Sequence, residues 1–179
     1  EAAFYGPKID VQIKNTLGKE ETIATSQVDV VVPKRLGLVY RDKNGKEGRV
    51  IVIHRAILGS YERFIAYLLE QTNGNLPVWL SPVQVKVLTL SEENMDYAES
   101  VEKELLKNGI RVESDYESNT VEHKIRNSQL QKIPYSVVIG KKEEANKTIA
   151  IRSRDGKVKY GVKLENFAKQ INEEVKQFK

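Results

Sequence analysis

The chain has 179 residues, 40% hydrophobic and 30% charged, with 29 Lys/Arg against 25 Asp/Glu and no cysteine. That composition supports one ordinary domain or two small ones. It excludes disulfides and any cysteine-ligated metal made by this chain alone, and it fits a cytoplasmic protein. No apolar stretch approaches the roughly 18–20 residues that cross a bilayer, and EAAFYGPKID lacks the basic and apolar regions of a secretory signal. No membrane partner is expected.

The first signals are strand-like. KIDVQIK alternates, TSQVDVVV and GLVY are rich in β-branched residues, and VIVIH reads as a buried strand that ends in His54. Asn44–Gly45 is a hairpin signal, since both residues tolerate positive φ. These elements predict an antiparallel sheet. A helix follows over about 60–72, with Ser60 as its N-cap and Phe64/Leu68 and Ile65/Leu69 at helical spacing.

TNGNLPVWLSP (72–82) breaks the pattern and reads as a linker, so domains are expected at 1–75 and 76–179. Strands and helices then alternate. VQVKVLTL is a strand, and Ser91 is expected to cap a helix with Ala98, Val101 and Leu105 on one face and Asn108–Gly109 at its end. IRVESDY, YSVVIG, TIAIRS and KVKYGV read as strands, the last two joined at Asp155–Gly156. VEHKIRNSQLQK reads as a helix, and a final helix carries Leu164, Phe167, Ile171, Val175 and Phe178 on one stripe. The fold class is α/β: a partial antiparallel sheet with one helix, then a compact α/β domain with a mixed sheet.

Several residues stand out chemically. Gly6–Pro7 fixes the backbone ahead of Lys8, which could hold a phosphate or carboxylate. HRAILGSYERF leads a strand into a helix N-terminus, an end that favours anions. Arg63 in that first turn is either paired with nearby glutamates or placed for a nucleotide. A lone histidine beside an apolar run, as His54 is, more often packs in a core than binds a metal. Residues 121–160 hold ten Lys/Arg against four acidic residues, a net +6. This window fits either a polyanion partner or a solvated lysine-rich face.

AFYGPKID, TSQVD, VIVIHRAILGSYERF and PVWLSPVQV closely resemble the C-terminal half of the threonyl-tRNA synthetases, class II aminoacyl-tRNA synthetases. GSYERF resembles motif 3, the strand–helix element that ends the class II catalytic domain, and the second block resembles the anticodon-binding domain of that class. The resemblance implies a threonine–tRNA ligase that activates threonine with ATP and magnesium and transfers it to its tRNA. It places His54 as one ligand of a catalytic zinc held by one cysteine and two histidines in the family. A metal with three protein ligands keeps positions open for substrate, and a contact to the threonine hydroxyl rejects valine.

Arg63 matches the motif 3 arginine, which stacks on adenine and contacts the ATP phosphates, a dual use suited to a planar, permanently charged group. Tyr5, Lys8 and Gln27 match residues lining the threonine and adenylate pocket, with Thr25 and Ser60 beside them. Arg126, Glu143 and Arg152 match positions that read anticodon bases. The family's motifs 1 and 2 and the other zinc ligands are not in this sequence. The 179 residues alone are therefore expected to be inactive, and a homodimer is expected of the complete enzyme. The alternative is a non-catalytic RNA-binding or accessory protein reusing the synthetase fold.

Overall fold

The alternation in KIDVQIK becomes strand β1 (Lys8–Lys14), which turns back on β2 (Glu20–Asp29) through a loop where the Asn15 side chain accepts the Leu17 and Lys19 amides at 3.0 and 2.9 Å. The computed structural model describes residues 3–179, which form two units meeting in sequence at Asn73 and Gly74. In the first, β5 (Val52–Ala56) pairs with the other edge of β2, giving an antiparallel sheet of order β1-β2-β5.

The β-branched run through Val32 predicts a longer β2. The strand stops at Asp29 because its carboxylate accepts the Val31 and Val32 amides, each at 2.9 Å. Pro33 then opens a one-turn helix, α1 (Val32–Arg35). Strands β3 (Val39–Arg41) and β4 (Glu47–Arg49) form their own two-stranded sheet, apart from the other three. Of the expected turn pair only Gly45 has positive φ (76°); the Asp42 carboxylate orders the rest by accepting the Asn44 and Lys46 amides.

Helix α2 (Tyr61–Thr72) follows, capped by the Ser60 hydroxyl on the Arg63 amide and ended by Asn73 in the left-handed region at φ 50°. It half-buries Phe64, Tyr67 and Leu68. The expectation that VIVIH is buried is not met: Ile51, Val52 and Ile53 are exposed, Val52 and Ile53 pointing to opposite faces of the sheet. Pro33 is the one fully buried residue described in this unit.

The second unit is built from β6 (Val85–Thr89), α3 (Met95–Lys107), β7 (Val112–Asp115), α4 (Val121–Leu130), β8 (Tyr135–Ile139), α5 (Lys141–Asn146), β9 (Ile149–Ser153), β10 (Val158–Val162) and α6 (Leu164–Lys176). Its sheet has the order β10-β9-β8-β6-β7. The parallel pairs β6–β7 and β6–β8 need helical crossovers, whereas β8, β9 and β10 are antiparallel, β8 reaching β9 through the short helix α5 and β9 turning directly into β10. Val85, Val87, Val137, Ile139, Ile149 and Ile151 project from one face onto Ala98, Val101 and Leu105 of α3 and Phe167 and Ile171 of α6. Each large side chain buried there contributes about 1.5–3 kcal/mol. Helix α4 covers the other face, where the Ser128 and Ser136 hydroxyls meet at 2.8 Å.

Three expectations are revised here, and one helix appears that the sequence did not announce. Ser91 does not cap α3; a 3-10 turn over Glu92–Asn94 intervenes, and the Ser91 hydroxyl bonds the Asn94 side chain at 3.0 Å. Helix α5, in KKEEAN, has no apolar periodicity to announce it and is held by the Glu143 carboxylate accepting the Gly140 amide at 3.1 Å. Phe178 lies beyond α6, at φ 56°, and its ring meets Trp79 edge-on at 5.3 Å. The segment read as a linker is largely fixed: Val78 is buried, and the Arg111 guanidinium donates to the carbonyls of Val78, Trp79 and Ser81.

Candidate functional site

The first cluster begins at Gly6. A Cβ there would lie 2.1 Å from the Val28 carbonyl oxygen, so only glycine lets the segment run against β2. The Val28 amide then donates to the Pro7 carbonyl (2.9 Å) and the Val30 amide to the Tyr5 carbonyl (3.0 Å). This anchoring sets Tyr5 so that its hydroxyl donates to Gln27 Oε1 at 2.9 Å, which turns the Gln27 amide nitrogen away from that contact.

Strand register does the rest. Lys8, Gln27 and His54 lie directly opposite one another across the three strands, and Asp10, Thr25 and Ala56 form the next row on the same face. Lys8 Nζ meets the Asp10 carboxylate at 2.8 Å, and the Thr25 hydroxyl donates to Asp10 at 2.6 Å. The Lys8 contact, then Thr25, holds the Asp10 carboxyl below the usual carboxylate range. Asp10 is the residue that sequence reasoning passed over. Its signal was the Lys-x-Asp spacing, which puts both charges on one face of a strand.

His54 is not at a strand end: pairing continues through Arg55 and Ala56 to Thr25, so it sits in the middle of β5. It is exposed, and its row neighbours are an amide and an ammonium. No group of three or more His, Cys, Asp or Glu side chains able to hold a metal occurs among the described residues. His54 by itself therefore does not make a metal centre.

Thr25 also lines a second feature, a pocket of about 260 Å³ that it shares with Thr22, Ala56, Gly59, Ser60 and Arg63. Gly59 takes φ 62° so that β5 can turn into α2. Glu62, in the first turn, is held below its usual range by its own backbone amide and then by Ser60. The Arg63 guanidinium makes no ion pair or hydrogen bond among the described residues, so the pairing with nearby glutamates is not seen there.

In the second unit the three expected RNA-facing residues stand on separate elements. Arg126 is exposed on α4, Glu143 is in the first turn of α5, and Arg152 is in β9. Arg152 lies opposite Ser136, and Ser136 is bonded to Ser128 of α4, so Arg152 and α4 share one face of the sheet. Neither Arg126 nor Arg152 has a side-chain partner among the described residues, and Arg152 Nε is buried without one.

The basic window is less free than its sequence implies. Lys124 is buried, donating to the Thr89 and Asp115 carbonyls at 3.1 Å each and to the Thr89 hydroxyl at 3.3 Å, with the Asp115 carboxylate at 3.9 Å. Lys141 pairs with Glu93, Lys157 with Asp155, Lys147 lies over the Tyr97 ring, and Arg154 donates to the Leu76 and Lys132 carbonyls. Arg126, Lys132, Lys142, Arg152 and Lys159 keep side-chain charges without such partners among the described residues.

Two family models match the chain: an anticodon binding domain over residues 84–174, and a tRNA synthetase class II core domain (G, H, P, S and T) over residues 1–72. The chain is 46% identical over 175 residues to a threonine–tRNA ligase of Clostridium botulinum (strain Eklund 17B / Type B). It is 44% identical over 177 residues to that of Bacillus velezensis. It spans 98% of its own length in each comparison, but only 27% and 28% of the relatives' length. Among solved structures it is similar to the RNA binding domain of threonyl-tRNA synthetase from Cryptosporidium parvum, at 41% identity and a TM-score of 0.80, covering 97% of this chain and 44% of that one. The prolyl-tRNA synthetase of the same organism shares the fold at 18% identity and a TM-score of 0.81, with 99% and 40% covered.

Proposed function

The chain belongs to the anticodon-binding domain family and carries class II tRNA synthetase core sequence ahead of it, and from that premise we propose that it forms part of a threonine–tRNA ligase. Residues 1–75 serve as the end of the catalytic core and residues 76–179 as the domain that reads the anticodon. The partners of the complete enzyme are threonine, ATP with magnesium and the tRNA for threonine. It works as a cytoplasmic homodimer, and the 179 residues by themselves do not catalyse.

The observation that carries this reading is the convergence of Tyr5, Lys8, Gln27, Thr25, Ser60 and Arg63 on one row of strands and its adjoining pocket. Gln27, oriented by Tyr5, presents amide N–H groups to a substrate carbonyl or hydroxyl. Lys8, balanced by Asp10, offers a fixed positive charge, and Arg63 offers a flat cation for a purine ring and its phosphates. Positioning and charge stabilisation of this kind suit adenylate formation, which needs no covalent protein nucleophile. His54 would supply one ligand to a catalytic zinc completed by residues other than these 179, the metal holding the amino and hydroxyl groups of threonine.

In the second unit, Glu143 accepts from base N–H groups, while Arg126 and Arg152 donate to base edges or stack. The test compares two reactions of the complete enzyme. Arg152→Ala and Glu143→Gln should leave threonine-dependent ATP–pyrophosphate exchange near wild type while aminoacylation falls, a lost base contact costing about 1–3 kcal/mol. Glutamine at 143 keeps an oxygen for the Gly140 amide, so the fold is spared. Equal losses in both reactions would show that these residues only support the structure.

A further inference from the structure

Strand β10 is the outer strand of the second unit's sheet, and nearly all of it is exposed. Exposed edges are usually blunted by charge, and Lys157, Lys159 and Lys163 do so here. Tyr160 does not fit that pattern. Its side chain is 76% exposed and makes no ring contact or hydrogen bond among the described residues.

Its position is fixed by register. Val158 lies directly opposite Arg152, so the two share a face of the sheet, and Tyr160 is two residues further along the same strand. It lies with Gly161, at φ 64°, inside the irregular stretch between the Lys159–Ile151 and Val162–Ile149 pairs. Lys159 and Val162 stand opposite Ile151 and Ile149 of the core face, so Tyr160 between them is placed on the Arg152 side of the sheet, one strand away from that arginine. Arg152 is the arginine whose Nε is buried without a partner.

We propose that Tyr160 is a stacking platform for an unpaired nucleobase beside the base that Arg152 contacts, a role resting on the RNA-binding reading of this unit. A largely exposed flat ring, beside a guanidinium with an unmet donor, matches what a splayed-out base presents: a π face and an acceptor edge. A paired duplex presents neither, because its base faces are covered by stacking. A protein partner would need a continuous apolar patch, whereas Tyr160 and the 38%-exposed Val158 stand among lysines. The lysines supply attraction to phosphates that is independent of sequence.

The test uses the 179-residue chain with two RNAs, the anticodon stem-loop of a threonine tRNA and a fully paired duplex of similar length, read by fluorescence anisotropy at fixed salt. Tyr160→Ala should weaken stem-loop binding about tenfold, Tyr160→Phe should stay within twofold of wild type, and duplex binding should not change for either. The slope of affinity against salt should be unaltered in Tyr160→Ala, since a ring neutralises no phosphate. If Arg152→Ala weakens stem-loop binding and Tyr160→Ala does not, the stacking role is wrong while the RNA-binding reading stands. Equal losses in the Ala and Phe variants, or a loss that extends to the duplex, also overturn it. A wild-type chain that does not prefer the stem-loop to the duplex overturns both.

Discussion

Lys124 is the buried cation of the second unit, and replacing it tests how that unit is held together. Its side chain is 2% exposed, and its ammonium joins the ends of two parallel strands, through the carbonyls of Thr89 at the end of β6 and Asp115 at the end of β7, to helix α4. Lys124→Met keeps most of the alkyl stem and removes the charge. Two carbonyls and the Thr89 hydroxyl then lose a donor, at about 1–3 kcal/mol for each buried group left unsatisfied. Against this, the cost of desolvating the ammonium disappears, and breaking one side of a buried pair nets about 3–5 kcal/mol. Asp115 is 12% exposed and still accepts the Glu117 amide at 3.2 Å, so the lower end applies, about 3 kcal/mol. For a unit of about a hundred residues that is a fall in Tm of roughly 12–15 °C. The chain has 1 tryptophan, Trp79, which lies in this unit, so its fluorescence in a denaturant titration reports this unit's unfolding. A midpoint that is unchanged or raised would refute the reasoning and mark the ammonium as a net cost that packing of the stem outweighs.

Two further outcomes are expected. Burial first, and then the charge of Glu174, push the Tyr135 phenol up to about 12, whereas an unfolded tyrosine ionises near 10. Its stabilising contribution is therefore complete below pH 10 and lost as pH rises through 12. Tyr135→Phe should lose stability less steeply than wild type in denaturant titrations across that window, and parallel curves would contradict the assignment. Gly6→Ala forces a Cβ to within 2.1 Å of the Val28 carbonyl and should destabilise the β1–β2 region by about 1–3 kcal/mol. The check is hydrogen exchange at the Val28 and Val30 amides, which should accelerate; unchanged protection would mean that the segment accommodates a side chain.

Elements with a strong local signal were legible in the sequence. α2 follows from Ser60 and its apolar spacing, α3 and α6 from theirs, and the β9–β10 hairpin from Asp155–Gly156. What was missed depended on partners distant in sequence or on side chains competing with the backbone. The stop of β2 at Asp29 comes from a carboxylate taking two amides, and the fixed course of 78–81 comes from Arg111, about 30 residues away. α5 has no apolar stripe because it is short and held at its start by Glu143. The row of Lys8, Gln27 and His54 could be named from a family resemblance, but that they face one another is a matter of register, which composition does not contain. The charge window was limited in a different way. Counting lysines and arginines could not reveal that Lys124 is buried or that Arg154 is spent on carbonyls.

The contact between Trp79 and the last residues of the chain has a consequence for how such a module travels. The Trp79 amide donates to the Lys179 carbonyl at 3.3 Å, and its ring rests against Phe178. The strands and helices of the mixed sheet therefore begin and finish at one spot, like a loop of cord pinched at its neck. A unit pinched in this way can be spliced into or out of a host at a single surface point, without rerouting the polypeptide around it. Recombination can then move it between hosts as one block, while each host's own chemistry changes independently of it.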